Sequence, residues 1–197
     1  MDTRGTKLKI LIAAGELIST LGYHNVSVRE ICEAAGVTKP VLYYYFKDKE
    51  DVLAQLLIEG HSRFRELFYK YIHPGLSFEK KLNGLYRIYV IYARTFPYLI
   101  KISAHVQFSP LPKKIKTLNN HKGKEIQELI KSIFIEGIKK KYFRKDVGSE
   151  MLAYSLIAPF GAFIAESILL KNDIRPLKEN LKKYFDFWKS QFLKRAN

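Results

Sequence analysis

The stretch from Ser27 to Phe46 reads SVREICEAAGVTKPVLYYYF, and its spacing predicts two short helices joined by a tight turn. Ser27 and Glu30 have the spacing of a capping box, in which the hydroxyl satisfies a first-turn amide and the carboxylate reaches back to the cap. Gly36 permits the left-handed backbone that a tight turn between helices needs. Thr38 is a favourable N-cap for the second helix. The stretch therefore has the pattern of a helix-turn-helix.

The second helix of this pattern favours nucleic-acid binding. Leu42 and Phe46 are four residues apart, so both side chains point toward the same core, and Tyr43 and Tyr44 face away from it. A helix that enters the major groove offers its N-terminal half to the base edges, where hydroxyl, ammonium and phenol groups can bind bases or phosphates. The outward N-terminal residues of this kind are Thr38, Lys39 and Tyr43. The alternative is an ordinary three-helix packing unit with solvated tyrosines.

Two cations flank the motif. Lys49 opens the next helix, where a positive charge is unfavourable unless an anion lies nearby, and a DNA phosphate would supply one. Arg29, in the first turn of the preceding helix, suggests the same role. The alternative for each is a plain surface cation.

Helical periodicity dominates the rest of the chain, and no segment alternates at period two. We predict an all-α fold of about nine helices. The predicted spans are Leu8–Leu21 with Gly22 as its C-cap, Val26–Ala35, Val37–Phe46, Asp48 to about Ile72, Ser77–Thr95, Phe96–Gln107, Lys113–Lys141, Gly148–Lys171 and Arg175–Arg195.

Composition narrows the setting. The single cysteine, Cys32, excludes a disulfide within the chain, and the first residues lack the pattern of a signal peptide, so we expect a cytoplasmic protein. The apolar run Ser155–Ala165 is too short to span a bilayer and contains Pro159, so we expect no membrane partner.

The net charge of +15 lies mostly outside the motif. Residues 1–50 carry 7 basic and 6 acidic residues, whereas residues 51–197 carry 27 and 13. Such an excess attracts polyanions in general, but a lysine-rich solvated surface explains it equally well.

Enzyme function is not expected. The sequence contains no phosphate-binding glycine loop, nucleophile elbow, carboxylate pair or Cys/His metal spacing. We therefore expect no catalytic residue, no cofactor and no metal. A remaining alternative is a basic protein that coats DNA or a membrane surface without an operator, with steep salt dependence and no sequence preference.

The sequence resembles the TetR family of transcriptional repressors. The resemblance covers about residues 6–55 and rests on Ser27, Ala34–Thr38 and Leu42–Leu53, with a weaker similarity at Phe134–Ile138 and Tyr142–Asp146. Two positions depart from the family pattern. Pro40 replaces a residue that is often glycine or another small residue, and Tyr45 replaces one that is often histidine. Because proline has no backbone N–H, Pro40 offers no amide to a binding partner.

The resemblance implies a homodimer that binds a palindromic operator. Residues 1–47 would form the DNA-binding domain, and residues 48–197 a helical domain for effector binding and dimerisation. With Ser27, which starts the motif, the DNA-contact set implied by the family is Val28, Arg29, Thr38, Lys39, Tyr43, Tyr44 and Lys49. An effector would shift the fourth helix and release a repressor from its operator.

Aromatic residues are frequent in the middle helices, where they would suit a small apolar or aromatic effector. The candidate pocket residues are Phe64, Phe68, Tyr86, Tyr89, Tyr92, Phe96, His105, Phe108, Phe134, Phe160 and Phe163. The alternative is that these aromatics are plain core.

The resemblance makes the last two helices the dimer surface, and both carry apolar stripes. The candidate interface residues are Leu152, Leu156, Ile164, Leu181, Tyr184, Phe185, Trp188 and Phe192. The alternative is again that they form the core of a single chain.

Overall fold

The structure, a computed structural model, describes residues 3–108, 110–143, 147–171 and 173–194, without the side chains at positions 3, 4, 104, 105, 107 and 108. The described residues form nine α-helices and no strand, as the sequence predicts. These are α1 (Thr3–Leu21), α2 (Val28–Ala35), α3 (Lys39–Tyr45), α4 (Lys49–Tyr71), α5 (Phe78–Thr95), α6 (Pro97–Phe108), α7 (Lys113–Lys139), α8 (Ser149–Ala165) and α9 (Leu177–Phe192).

Helix ends differ from the predicted spans for local reasons. α2 starts two residues later than predicted because Ser27 is its extended N-cap, and α3 does so because Thr38 is extended in the same way. α8 passes into a π turn, Glu166–Leu170, instead of continuing as a regular helix. α9 ends at Phe192 because Leu193 forms an antiparallel bridge with Phe143.

The chain forms two compact units. The first contains Met1–Ser62 and Phe96–Lys122, and the second contains Arg63–Thr95 and Gly123–Asn197. α4 and α7 therefore each contribute residues to both units. The domain boundary proposed at residue 47 stays a prediction, because these units describe packing and not function.

The first unit is built around α1, which packs against α2 and α6. Ile10, Ala14 and Ile18 on α1 are fully buried, as are Ile31 on α2 and Leu42 on α3. The resulting core holds the helix-turn-helix against the longer helices.

The second unit has an aromatic core in which α8 packs against α9 and α9 against α5. Trp188 is fully buried and donates from Nε1 to the Ser155 hydroxyl at 2.8 Å. Gly137 belongs to the weaker of the two resembling segments. A Cβ at that position would lie 2.5 Å from the rings of Phe78 and Phe143, so this packing requires glycine.

A charged pair also lies inside the second unit. Lys81 is 6% exposed and donates to the Glu136 carboxylate at 2.5 Å. Hydrogen bonds from Lys140 and Lys81 hold the pKa of Glu136 below its ordinary value. Because each charge is paired, the unit tolerates a buried lysine.

Candidate nucleic-acid interface

The capping box predicted at the start of α2 is present. The Glu30 amide donates to Ser27 Oγ at 3.2 Å, and the Ser27 amide donates to Glu30 Oε2 at 2.7 Å. The hydrogen bonds from Ser27 lower the pKa of Glu30. At the other end of α2, Gly36 has φ 64° and ψ 38°, the left-handed conformation that the sequence predicts. Both ends of α2 are therefore set by local residues.

Thr38 occupies the predicted N-cap position of α3, but its side chain makes no capping hydrogen bond. Pro40, the second residue of α3, has no amide for the hydroxyl, so only the amide of Val41 could serve such a cap, and it makes no hydrogen bond to Thr38. Thr38 is exposed. Its hydroxyl is therefore not engaged in holding the helix.

The two sides of α3 differ as the sequence predicts. Leu42 is 0% exposed and Phe46 is 1% exposed, whereas Tyr43 is 52% exposed and Tyr44 is 77% exposed. The Tyr44 ring packs edge-on against Tyr45, with centroids 4.9 Å apart. A short buried edge thus supports an outer face of phenol groups.

Lys49 binds two backbone carbonyls that its position in the sequence did not predict. Its ammonium donates to the carbonyl of Tyr23 at 2.8 Å and to that of Val26 at 2.7 Å, and it lies 4.4 Å from the centroid of the Tyr23 ring. Partial burial lowers the pKa of Lys49. A DNA phosphate is therefore not needed to stabilise this cation, although one of its three N–H groups is left for another acceptor. The phosphate contact stays a prediction.

Arg29 also has an internal partner. Its Nε donates to Glu33 Oε1 at 2.7 Å, one turn further along α2, and both side chains are largely exposed. Such a pair contributes little to stability, so the guanidinium can exchange it for a phosphate at small cost.

All eight predicted DNA-contact residues belong to the first unit, where they lie on α2 and α3, at the N-caps of these helices, and at the start of α4. Most are exposed, and Val28 and Lys49 are half-buried. Apart from Val28, they offer polar or charged groups at the surface of the helix-turn-helix.

The profile of bacterial regulatory proteins of the tetR family matches residues 10–56. This helix-turn-helix domain belongs to the TetR family. The matched residues run from α1 into the first turns of α4, so they include the caps, the Gly36 turn and the exposed face of α3.

Curated relatives are similar over the same region. The chain is 39% identical over 69 residues to an uncharacterized HTH-type transcriptional regulator, YdgC, of Bacillus subtilis, which covers 34% of this chain and 35% of that protein. It is 37% identical over 75 residues to the fatty acid metabolism regulator protein of Bacillus subtilis, covering 38% and 39%. The chain thus matches little more than a third of the length of these relatives.

Solved structures share the fold over nearly the whole chain. The fatty acid degradation regulator FadR from Bacillus halodurans superposes with a TM-score of 0.81 at 22% identity, covering 93% of this chain and 94% of that one. The regulator FadR from Bacillus subtilis, in complex with stearoyl-CoA, gives 0.80 at 21% identity, covering 93% and 97%. The described chain therefore has the fold of TetR-family regulators outside the helix-turn-helix as well.

The second unit contains a cavity of about 130 Å³ between α5, α7 and α8. Its apolar lining comes from Tyr89, Ile126, Ile130, Ala153, Tyr154 and Ile157, and Glu128, Lys131 and Glu150 add charged groups. Burial raises the pKa of the Tyr89 phenol well above its ordinary value. This phenol makes no hydrogen bond to another residue in the described part of the chain.

Tyr89 is the predicted pocket residue that lines this cavity. Phe64 and Phe160 lie behind it, with ring centroids 5.5 and 5.4 Å from that of Tyr89. Tyr86 instead lines an open surface groove with Arg175 and Lys178.

Other predicted pocket residues are core. Phe68 is 4% exposed, and Phe134 is fully buried against Trp188 and Phe143. Tyr92, Phe96 and Phe163 are half-buried and do not line the cavity. The side chains of His105 and Phe108 lie outside the described residues.

Most of the predicted dimer residues have side chains that are buried within one chain, as the core alternative expects, so their role in a dimer interface stays a prediction. The residues with 5% exposure or less are Leu152, Leu156, Ile164, Leu181, Phe185 and Trp188. Tyr184 and Phe192 are half-buried, and the Tyr184 hydroxyl donates to the Ser155 carbonyl. The stripes that sequence reasoning selected face the interior of the second unit.

A different apolar face of the same helices is exposed. Met151, Tyr154 and Phe187 are 64%, 52% and 57% exposed, and Ala158 and Ala162 follow Met151 at helical spacing. The signal for this face was the apolar composition of α8 on both sides, since a helix with two apolar faces needs two partners.

The apolar stretch of α8 is also longer than the run Ser155–Ala165 that the sequence indicated. With its π turn it spans Ser149–Leu170, 22 residues with a mean hydropathy of 1.6, which by length and composition could cross a membrane. In its most apolar window 39% of the residues are buried inside the chain. A core helix with a second, exposed apolar face has the same composition.

Proposed function

We propose that this chain is a transcriptional regulator that binds a palindromic operator as a homodimer and represses transcription until a small apolar effector releases it. The observation that carries this proposal is the exposed face of α3. Thr38, Lys39 and Tyr43 present a hydroxyl, an ammonium and a phenol in a TetR-family helix-turn-helix. These groups suit base edges and phosphates in the major groove.

The dimer is supported by the exposed apolar face of α8 and α9. Met151, Tyr154 and Phe187 are large apolar side chains that are more than half exposed, and exposed apolar surface of this kind marks an interaction site. A second copy related by two-fold symmetry would cover the same face on both protomers. Such a dimer would present two copies of α3, which is the reason for expecting a palindromic operator.

The effector site is supported by the cavity in the second unit. Its volume of about 130 Å³ is below the roughly 300–1,000 Å³ typical of sites for drug-sized ligands. We therefore expect the effector to place a slender apolar portion there, with the Tyr89 phenol as a hydrogen-bonding partner. The stearoyl-CoA complex of the Bacillus subtilis regulator suggests acyl thioesters as the first compounds to try.

Coupling between effector and operator would run along α4. This single helix starts at Lys49, beside the helix-turn-helix, and its later residues, such as Phe64, belong to the second unit. A coupling free energy of about 1–3 kcal/mol would change operator affinity by roughly 5–150-fold. A regulator of this kind acts where the DNA is, so we expect the protein in the cytoplasm. Its proposed role is binding, so we expect it to catalyse no reaction.

The decisive experiment selects bound duplexes from random DNA with the full-length protein. We expect a palindromic consensus bound at least about 10³-fold more tightly than random DNA of equal length. Stearoyl-CoA and shorter acyl thioesters are then tested for release of the selected duplex. Equal affinity for every sequence, with a steep dependence on salt, would instead support a basic DNA-coating protein.

A variant links the release to the cavity. Ala153→Leu adds three carbons to the cavity wall, so operator binding should persist while the active acyl thioester no longer releases the duplex. An unfolding curve checks that the overpacked variant remains folded. Normal release by a folded Ala153→Leu protein would place the effector elsewhere.

A further inference from the structure

The charge of the first unit is unevenly distributed. Residues 1–62, which include the helix-turn-helix, contain seven basic and eight acidic residues, a net charge of −1. Residues 96–122, which complete the unit, contain five lysines and no acidic residue. A DNA-binding unit needs a basic footprint to displace counterions from phosphates. In the first unit, the excess of basic over acidic residues comes entirely from residues 96–122.

Three of these lysines cluster at the start of α7. Lys113, Lys114 and Lys116 are exposed, whereas Ile115 between them is fully buried and anchors the turn in the unit. None of the three pairs with a carboxylate in the described part of the chain. Three unpaired ammonium groups in the first turn repel one another and interact unfavourably with the positive end of the helix dipole. A bound polyanion would relieve both unfavourable interactions.

The start of α7 lies close to the helix-turn-helix. The turn before α2 is held from two sides, because Lys49 donates to the Tyr23 carbonyl and His24 donates from Nε2 to the Pro110 carbonyl at 2.7 Å. Ala54 lines an open groove together with Lys113 and Lys114. Ala54 is five residues after Lys49, so it lies about 7.5 Å further along α4. This distance is about one Debye length at physiological salt, so charges on the two sides of it still interact.

We propose that Lys113, Lys114 and Lys116 form a second phosphate-binding surface, which contacts the DNA backbone beside the bases that α3 reads. This inference rests on the proposed function and extends its DNA contacts beyond the helix-turn-helix. Lys113 and Lys114 line an open groove, and Lys116 is exposed one residue after Ile115 of the same groove. An open surface with three cations suits a long polyanion better than a small enclosed anion. It contributes affinity without sequence preference, because phosphates carry no base information.

The test compares two triple variants with equal loss of charge. Lys113→Gln/Lys114→Gln/Lys116→Gln removes the proposed surface. Lys80→Gln/Lys139→Gln/Lys141→Gln removes three exposed lysines of the second unit that form no ion pair in the described part of the chain. Dissociation constants are measured for the selected operator and for random duplex of the same length, at several salt concentrations. Unfolding curves confirm that both variants are folded.

We expect the first variant to bind both duplexes about tenfold or more weakly, with an unchanged ratio between them. The magnitude of its salt slope should fall by about 0.9 for each phosphate that the lysines no longer neutralise. The second variant should stay within about twofold of the wild type. An unchanged salt slope in the first variant would overturn the proposal, as would equal effects of the two variants.

Two further outcomes are separable. If the first variant loses stearoyl-CoA binding and keeps its DNA salt slope, the lysines serve a small anionic ligand and the proposal is wrong. If the wild type prefers no sequence at all, the operator function fails, but the slopes on random duplex still decide whether these lysines contact phosphates.

Discussion

The recognition segment, residues 27–46, and the helix pair α8–α9 each consist of two helices with apolar stripes. The sequence predicted which side chains are buried and which are exposed in the first, but not in the second. In the recognition segment the predicted inner residues Leu42 and Phe46 are buried and the predicted outer tyrosines are exposed. In the helix pair the residues assigned to an outer surface, such as Leu156 and Trp188, are buried inside the chain.

The difference follows from the number of apolar faces. α3 has one narrow apolar edge, so its orientation has one solution. α8 is apolar on opposite sides, with Leu156 buried and Met151 exposed, so composition permits two orientations. Periodicity identifies a stripe, but it does not say whether the stripe meets the same chain or a second copy.

The largest expected effect is the loss of stability when Trp188 is replaced. This substitution tests whether Trp188 belongs to the core of one chain or to the dimer surface. Trp188→Ala should lower the free energy of unfolding by about 3–5 kcal/mol, because it empties a fully buried site. It also removes the 2.8 Å hydrogen bond to Ser155. Urea unfolding at a fixed protein concentration measures the change.

Phe187 is the matched control on the neighbouring position, since it is 57% exposed. Phe187→Ala should weaken dimerisation in sedimentation equilibrium and cost the folded chain little. A folded, monomeric Trp188→Ala protein with normal unfolding at low concentration would restore the original assignment of Trp188 to the dimer surface.

A smaller effect is expected on the recognition segment. Tyr43→Ala and Tyr44→Ala should each weaken operator binding by roughly 1–3 kcal/mol, with stability within about 0.5 kcal/mol of the wild type, because both side chains are exposed. Fluorescence anisotropy with the selected duplex measures the affinity.

Tyr69→Ala provides the control, because Tyr69 is 61% exposed and lies in the second unit. Operator affinity should be unchanged in that variant. If Tyr43→Ala and Tyr44→Ala bind as tightly as Tyr69→Ala does, the outer face of α3 does not contact DNA.

The smallest effect concerns the cap of α2. Ser27→Ala should reduce stability by about 1 kcal/mol at neutral pH, as is typical for loss of an N-cap hydroxyl. Because the hydrogen bonds from Ser27 lower the pKa of Glu30 below its ordinary value of 4.5, the Glu30 carboxylate stabilises the folded state above that pH. This contribution is lost as the pH falls through the lowered pKa.

The difference between wild type and Ser27→Ala should therefore shrink in strongly acidic solution. Urea midpoints at pH 7 and pH 3 test this. A difference that is constant over this range would show that the Ser27–Glu30 interaction does not depend on ionisation of the carboxylate.

The fold class was predictable because each helix carries its own signals. Gly22 and Gly36 both have positive φ where the sequence predicts helix ends, at 83° and 64°. The predicted spans of α2 and α3 begin two residues too early, although the sequence identifies Ser27 and Thr38 as their caps. The π turn after α8 and the bridge at Leu193 left no local signal, because they depend on contacts with distant residues.

The candidate site was predictable in part. The outward side of α3, with Thr38, Lys39 and Tyr43, could be identified from spacing, and the rest of the DNA-contact set came from the family resemblance; the contacts with DNA stay predictions. The partners of Lys49 could not be identified, because its ammonium binds carbonyls more than twenty residues away. The cavity could not be foreseen either, since its lining mixes aliphatic residues of α7 and α8 with a single predicted aromatic, Tyr89.

By itself, the sequence determined the nine helices, the capped and glycine-turned recognition segment, and the inward side of α3, because these depend on interactions within a few residues. The tertiary structure decided which aromatics are core, which face of α8 is exposed and which partners hold Lys49. It also brought Lys113 and Lys114 of α7 into one groove with Ala54 of α4, from which they are separated by nearly sixty residues in the chain. Those outcomes depend on packing between distant segments, where many apolar stripes compete for the same interior.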